Sequence, residues 1–501
     1  MVRPASAPMT PASRAIGMCA SAFLLGVAGC NVGPDYRAPQ AKTPLTWASP
    51  TTVPTTRPSN ATTRPAEVVE WWSTFNDPKL NSLVTRAVVS NLDMKLAESR
   101  IRQARAARGF VAAGEYPSVT ANGSYSRQRT SQGNAPTGLY QTNLDASWEL
   151  DIFGQTRRGV ESADANIQSA VEDRRDVLVT LAAEVAINYI DLRGFQQAIN
   201  IANENLALQT RSADLTRRRF KGGLNSMLDV ANSDALVATT RAQIPSLEQS
   251  VQQTIYRLSV LLALQPAALN IELTADAAIP TTPPEVPIGL PSELLRRRPD
   301  IRRAEAQLHG ATALIGVATA DLFPKFSLTG ALGTAGSQPR SLVNWDNRFY
   351  AFGPQVSWNV FDAGRIRSNI EIQNAVQEQA LITYQKTVLT ALQEVESSLV
   401  AYVKEQQHRQ ALGEAVAANQ KAVDLAMKLY TLGQTDFLNV LDAQRSLLTS
   451  QDQLVTSDRT IATNLVSLFK ALGGGWDLPK PTTRPATAPV LPPIARLLPA
   501  R

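Results

Sequence analysis

The chain of 501 residues carries 49 Lys and Arg against 43 Asp and Glu, a formal net charge of +6. That excess is too small to argue for a nucleic-acid partner. Beyond the first 29 residues no apolar run approaches the roughly 20 residues of a membrane helix, so any crossing of a membrane has to use strands.

Residues 1–29 hold Arg3, Arg14, an apolar run over 15–28 and the sequence Val27-Ala28-Gly29 before Cys30. A short apolar core ending in small residues reads as a secretory signal. A cysteine directly after Val-Ala-Gly resembles a bacterial lipobox, which makes Cys30 the expected lipidated first residue of the mature chain. The plainer alternative is an ordinary signal peptide with an incidental cysteine. Cys19 would leave with the leader, so the mature chain keeps one cysteine and no internal disulfide. Residues 30–78 are expected to form an extended linker. Within it, 40–68 are rich in Thr, Pro and Ala, with Thr-Thr-Arg-Pro ending at Pro58 and Pro65 and returning at 482–485. Such composition buries little.

The rest is one pattern written twice. Phe220 and Tyr430, Gly223 and Gly433, Leu228 and Leu438, and Val230 and Val440 pair at an offset of 210. Trp148 with Trp358 and Gly154 with Gly364 keep that offset, while Ala97 with Ala304, Tyr116 with Phe323 and Gly123 with Gly330 pair at 207. The duplication spans roughly 92–263 and 299–472. Domains are accordingly expected at 79–263 and 299–472, separated by a proline-rich segment at 264–298 and followed by a proline-rich tail at 473–501.

In chain order, each unit begins with a helix (about 79–113 and 299–320), then a hairpin (about 117–150 and 324–361). A very long helix follows, then a partner over about 225–263 or 436–472, the first kinked by Pro245. Residues 155–219 and 365–430 lack proline. As helices they would each reach about 100 Å at 1.5 Å per residue. Leu178, Val185, Leu192, Ile199 and Leu206 fall seven apart, with Leu181, Asn188, Phe195 and Ala202 between. In the second unit the heptad is Val388, Val395, Tyr402, Val416, Val423 and Tyr430, giving coiled-coil periodicity. Alternation in 119–126, 140–150, 326–332 and 350–360 reads as strands. A half-exposed soluble sheet has the same period as a membrane barrel. Strand number separates the two readings only if the barrel is shared, because four strands per chain cannot close one and membrane barrels start at about eight.

The mature start Cys30-Asn31-Val32-Gly33-Pro34-Asp35-Tyr36, Trp71-Trp72 with Phe75-Asn76-Asp77-Pro78, the run from Leu290 through Arg296-Arg297-Arg298-Pro299-Asp300-Ile301, Phe323-Pro324, and Phe361-Asp362-Ala363-Gly364 together resemble the TolC-like outer-membrane factors of tripartite RND efflux systems, in the OprM/CusC-like lipoprotein branch (NodT family). The resemblance implies a mainly α protein with a small membrane β part: a homotrimer with a shared twelve-stranded barrel among outer-membrane lipid and a long periplasmic helical tube. It implies no cofactor. Its partners would be a periplasmic adaptor, contacted by tips at Gly222, Gly223, Leu224, Thr431, Leu432 and Gly433, and an inner-membrane RND transporter. A periplasmic gate would use Tyr430, Asp442 and Asp229. Asn439 and Thr435 depart from TolC, which has an aspartate and an arginine there.

The function so implied is a passive exit duct for drugs or other small toxic compounds. Metal efflux, type I protein secretion and a structural coiled-coil envelope lipoprotein are the alternatives. An enzyme finds little support. The two histidines, His309 and His408, sit in helical patterns where surface positions are expected, and there is no zinc-ligand spacing, phosphate-cradling loop or nucleophile elbow. Arg296–Arg298 are expected to pair with acidic neighbours.

Overall fold

The computed structural model describes residues 31–40, 44–48, 60–62, 70–129, 136–282, 285–287 and 291–476. Residues 1–30, which hold the expected signal sequence and Cys30, the tail after 476 and, Thr62 apart, the Thr-Thr-Arg-Pro segments lie outside the described residues. A 3-10 turn at Trp71–Phe75 leads into α1 (Pro78–Ser90) and α2 (Leu92–Ala112). Strands β1 (Ser118–Gln128) and β2 (Thr137–Leu150) precede α3 (Gln155–Lys221), of 67 residues, and α4 (Met227–Leu261). The second unit repeats this with α5 (Pro291–Arg297), α6 (Pro299–Ala320), β3 (Lys325–Gly336), β4 (Arg348–Ser357), α7 (Arg365–Thr431), again 67 residues, and α8 (Phe437–Ala471). Among the described residues no helix is long and apolar enough to cross a membrane.

Two expectations need correction. The helix expected over 79–113 is two helices, broken at Asn91, whose extended backbone (φ −54°, ψ 140°) leaves the helical region. Its side chain accepts from the Asp93 and Met94 amides and donates to the Leu261 carbonyl at 2.9 Å, so one residue caps α2 and ties it to the end of α4. The linker also buries more than its composition implies. Trp47 joins the core, the Ala48 amide donates to Glu396 at 2.7 Å, and Asn60–Thr62 pairs in parallel with Glu285–Pro287. The helix α4 runs on through Pro245.

The four strands form one antiparallel sheet in the order β1-β2-β3-β4, with the two hairpins joined where Leu144 faces Leu332 and Trp148 faces Leu328. The second hairpin ends at Ser357, so Trp358 lies beyond it, its indole donating to the Leu322 carbonyl. Every residue of β1 is exposed, as are Leu144, Leu332, Tyr350 and Phe352. A soluble sheet buries one face on its own core; here no residue of the four strands is buried, and the outer edges of β1 and β4 have no partner among the described residues.

The largest core lies partway along the helices. Trp71, Trp72 and Phe75 are packed with Leu80, Leu83, Ile190, Leu465 and Phe469, and Trp71 stacks on Phe469 with centroids 5.4 Å apart. Asp77 starts α1 by accepting from the Lys79 and Leu80 amides, and its other oxygen accepts from the Tyr189 hydroxyl at 2.7 Å. Burial, then the Asp77 carboxylate, pushes that phenol up to about 12. Arg298 is buried and pairs with Asp300 and Glu394, each at 2.7 Å, while donating to the Ala471 carbonyl. The expected pairing of this arginine run thus holds at Arg298, and at Arg297 with Glu293.

The segment from Asn31 to Tyr36 is a strap against α3 and α6. Gly33, at φ +88°, lies so close to Gly316 that a Cβ on it would sit 2.5 Å from the Gly316 Cα. Asp35 pairs with the buried Arg158 at 2.7 Å, and Tyr36 stacks on His309 at 4.3 Å. His309 is therefore not the surface residue its helical pattern suggests; its Nε2 lies 3.0 Å from Glu161. Burial works against the Glu161 charge, but hydrogen bonds from Arg158 and His309 hold its carboxyl below the usual range.

Asp77→Ala removes a helix cap and a buried phenol's acceptor together, and is expected to cost about 2 kcal/mol in denaturant unfolding of the purified protein. In the Tyr189→Phe background the cost should shrink, and an unchanged cost would remove the phenol from the account.

Candidate functional site

The two long helices end in turns of one geometry. In the first, the Leu224 amide donates to the Arg219 carbonyl and the Gly223 amide to Phe220, both at 2.9 Å; in the second, Gln434 donates to Leu429 at 2.9 Å and Gly433 to Tyr430 at 3.1 Å. This is the Schellman closure, whose C′ residue is left-handed. Gly223 and Gly433 both have φ +74°, a conformation that costs a side chain about 1–2 kcal/mol. Gly222 has φ −82° and needs no glycine, and the equivalent Leu432 has φ −79°.

The restarts differ. Ser226 and Asp229 form a capping box: Asp229 accepts from the Ser226 amide and hydroxyl, and Ser226 Oγ accepts from the Asp229 amide. At the second turn Asp436 holds the cap position without a side-chain bond, and Asn439 donates to Thr435 Oγ1 at 2.7 Å instead. Asp229 is thus half-buried and engaged in its own turn, whereas Asp442 is exposed and has no partner among the described residues.

Tyr430 joins the two units. Its ring is buried with Leu236, Phe437, Val440 and Leu441. Its hydroxyl accepts from Asn225 Nδ2 and donates to Thr216 Oγ1 at 3.3 Å. The Arg219 guanidinium lies 4.6 Å from the ring centroid and donates to the Tyr430 and Thr431 carbonyls at 2.7 and 3.3 Å. One arginine therefore holds the last carbonyls of α7, where a cation also suits the helix dipole, and covers the aromatic face. Of the expected gate residues, Tyr430 alone enters this junction. Asp229, Asn439 and Asp442 are not in bonded contact with it.

Sequence reading missed Arg219, Asn225 and Thr216. Their signal lay in the mismatch between repeats: the equivalents 210 residues on are Leu429, Thr435 and Ala426. The heptads are also incomplete near the tips. Ile199 and Leu206 are half-buried, while Asn205, Gln209, Ser212 and Thr216 fill the seam. Gln444 donates to Ser212 at 2.8 Å and Asn205 to Gln451 at 2.7 Å. The outer surface of the tips is apolar: Leu224, Leu228, Leu432 and Leu438 are all more than half exposed.

The family model described as outer membrane efflux protein matches residues 83–264 and again 290–474. The chain belongs to that family. It is 34% identical over 475 residues to the antibiotic efflux pump outer membrane protein ArpC of Pseudomonas putida, covering 92% of this chain and 95% of the relative. Nodulation protein T of Rhizobium leguminosarum bv. trifolii is 30% identical over 463 residues, covering 91% and 96%. Among solved structures, the outer-membrane channel OprN superposes with a TM-score of 0.82 at 36% identity, covering 89% of this chain and 100% of that one. The open-state MtrE channel of Neisseria gonorrhoeae gives 0.76 at 28% identity, covering 89% and 99%. The protein is thus a TolC-like outer-membrane efflux channel, mainly helical, with a tandem repeat and a small sheet.

Gly223→Ala and Gly433→Ala are each expected to cost about 1–2 kcal/mol in thermal unfolding, and Gly222→Ala less than about 0.5 kcal/mol. Equal effects at the three positions would overturn the assignment of the left-handed residues.

Proposed function

We propose that three copies of this outer membrane efflux protein close one twelve-stranded barrel and one helical tube, anchored by a lipid on Cys30. The observation that carries this reading is the four-stranded sheet, none of whose residues is buried and whose outer edges have no partner among the described residues. Lipid offers no hydrogen bonds to an open strand edge, so the edges must meet those of other copies. In this reading the exposed tips at Gly222, Gly223, Leu224, Thr431, Leu432 and Gly433 dock on a periplasmic adaptor, and an inner-membrane RND transporter supplies the energy. The chain itself holds a sealed path and does no chemistry.

The cargo proposed is drugs or other small toxic compounds, supported by relatives named for antibiotic and toluene efflux. A relative named for pyoverdine export makes a secreted metabolite the second reading.

The tips are the proposed gate. Arg219, Asn225 and Thr216 hold Tyr430 and keep α7 against α3 within each copy. Three copies of Asp442, near the axis, would repel one another and attract cations. Asn439 leaves no second acidic ring in the second turn, and Asp229 serves by shaping the first.

Single-channel conductance in planar bilayers tests this. Arg219→Ala, Tyr430→Phe and Asp442→Ala are each expected to raise the small resting conductance of the wild type, Arg219→Ala the most. Folded, inserted variants with unchanged conductance would sink the gate, and a wild type that inserts yet never conducts would sink the duct.

A further inference from the structure

The internal repeat lets the contact inside one chain report the contact between chains. The helix α3 lies between α2 of its own unit and α6 of the other, and α7 packs on α6, leaving its other flank bare in the isolated chain. Residues of α7 match those of α3 at an offset of 210, and residues of α2 match those of α6 at 207. We infer that the bare flank of α7 receives α2 of the next copy in the register of the α3–α6 seam, with Arg102 of one copy paired to Glu371 of the next. This rests on the reading that copies close a ring, and adds the surface and register by which they do so.

Three observations carry the inference. Within the chain, His309 on α6 meets Glu161 on α3 at 3.0 Å; the equivalents are Arg102 and Glu371, both exposed and neither with an ion pair among the described residues. The geometry that joins the inner pair therefore brings opposite charges together in the outer one, with an arginine that keeps its charge where histidine can lose it.

Secondly, the flank looks like an interface without its partner. Ser162, which lies against Gly310, is 4% exposed, but its equivalent Ile372 is 58% exposed. Glu172 and Val179, 5% and 3% exposed, correspond to Ile382 and Leu389 at 56% and 66%. A soluble surface does not place isoleucine and leucine where its repeat places buried residues.

Thirdly, the substitutions are coordinated. Within the chain Glu172 pairs with Arg302, and Asp173 with the adjacent Arg303. Their equivalents across the outer seam are Ile382 with Lys95 and Thr383 with Leu96. At Thr383 and Leu96 both charges are lost together; at Ile382 the carboxylate is lost while Lys95 keeps a cation on a side chain whose stem can lie along the isoleucine, so no carboxylate is left opposite an apolar residue.

The register is testable by disulfide formation. A Cβ placed on Gly310 would lie 3.5 Å from the Ala165 Cβ, within the separation of about 3.5–4.5 Å that a disulfide uses. The equivalent positions are Gln103 and Ala375. The full-length Gln103→Cys/Ala375→Cys variant, oxidised in outer-membrane fractions, is expected to run as a covalently linked trimer on non-reducing gels and as a monomer after reduction, with neither single variant linking. If the variant assembles but does not link, or links only within one chain, the register is wrong while the ring stands. If the wild type itself shows no assembly, the ring reading fails instead. For the ion pair, Arg102→Glu is expected to lower the temperature at which the oligomer dissociates, and Arg102→Glu/Glu371→Arg to restore at least half of the loss. No recovery in the double variant would overturn the pairing.

Discussion

A helix of 67 residues has no core of its own and must be buried along a line. Every other feature of the chain answers that constraint. A compact domain would cover such a helix with a shell of other elements; here each long helix is flanked by helices that run beside it, first α2 or α6 and further along α4 or α8. Burial of this kind produces a wall rather than a globule. A wall has two flanks, and the bare flanks and open strand edges are the direct consequence of building one from a single chain.

The wall is clamped in two places. At the large core, Trp71 stacked on Phe469 and Asp77 shared between a helix start and Tyr189 tie the entry of the first unit to the last helix of the second. Arg298 does the reverse, fixing the entry of the second unit to the end of α8 through the Ala471 carbonyl. Nearer the sheet, the strap from Asn31 to Tyr36 bridges α3 and α6 through Arg158, Glu161 and His309. These are the segments whose sequence is most distinctive, and each is a place where the two units touch. Away from the clamps the seam turns polar: among the described residues the side-chain amide of Gln209 and the side-chain amide oxygen of Gln444 have no partner, a cost the leucine positions of a regular heptad seam would not carry.

The sequence made the architecture legible because its signals were long-range and redundant. A duplicated pattern, two proline-free stretches and two alternating hairpins each point to the same fold. What it hid was decided by single side chains. Asn91 breaks a helix by capping the next one, which residue type alone does not announce in a run such as Val88-Val89-Ser90-Asn91-Leu92. Trp47 is buried although its surroundings have the composition of a linker. At the tips, Tyr430 stood out through its repeat position, but Arg219 was one of three consecutive arginines. Only the three-dimensional turn shows which of them reaches across. Asp229 misled in the opposite direction, because an acidic residue three positions after a serine serves the helix start before it serves anything else.

The two turns share a backbone but not a surface. The first offers Leu224 beside a capping box; the second offers Gln434 beside an uncapped Asp436. A ring of such tips carries two kinds of site in alternation, however regular its backbone looks. Any protein that grips every tip at once must either present two different faces or make one face serve both, and the stronger half of its contacts would then fall on every second tip.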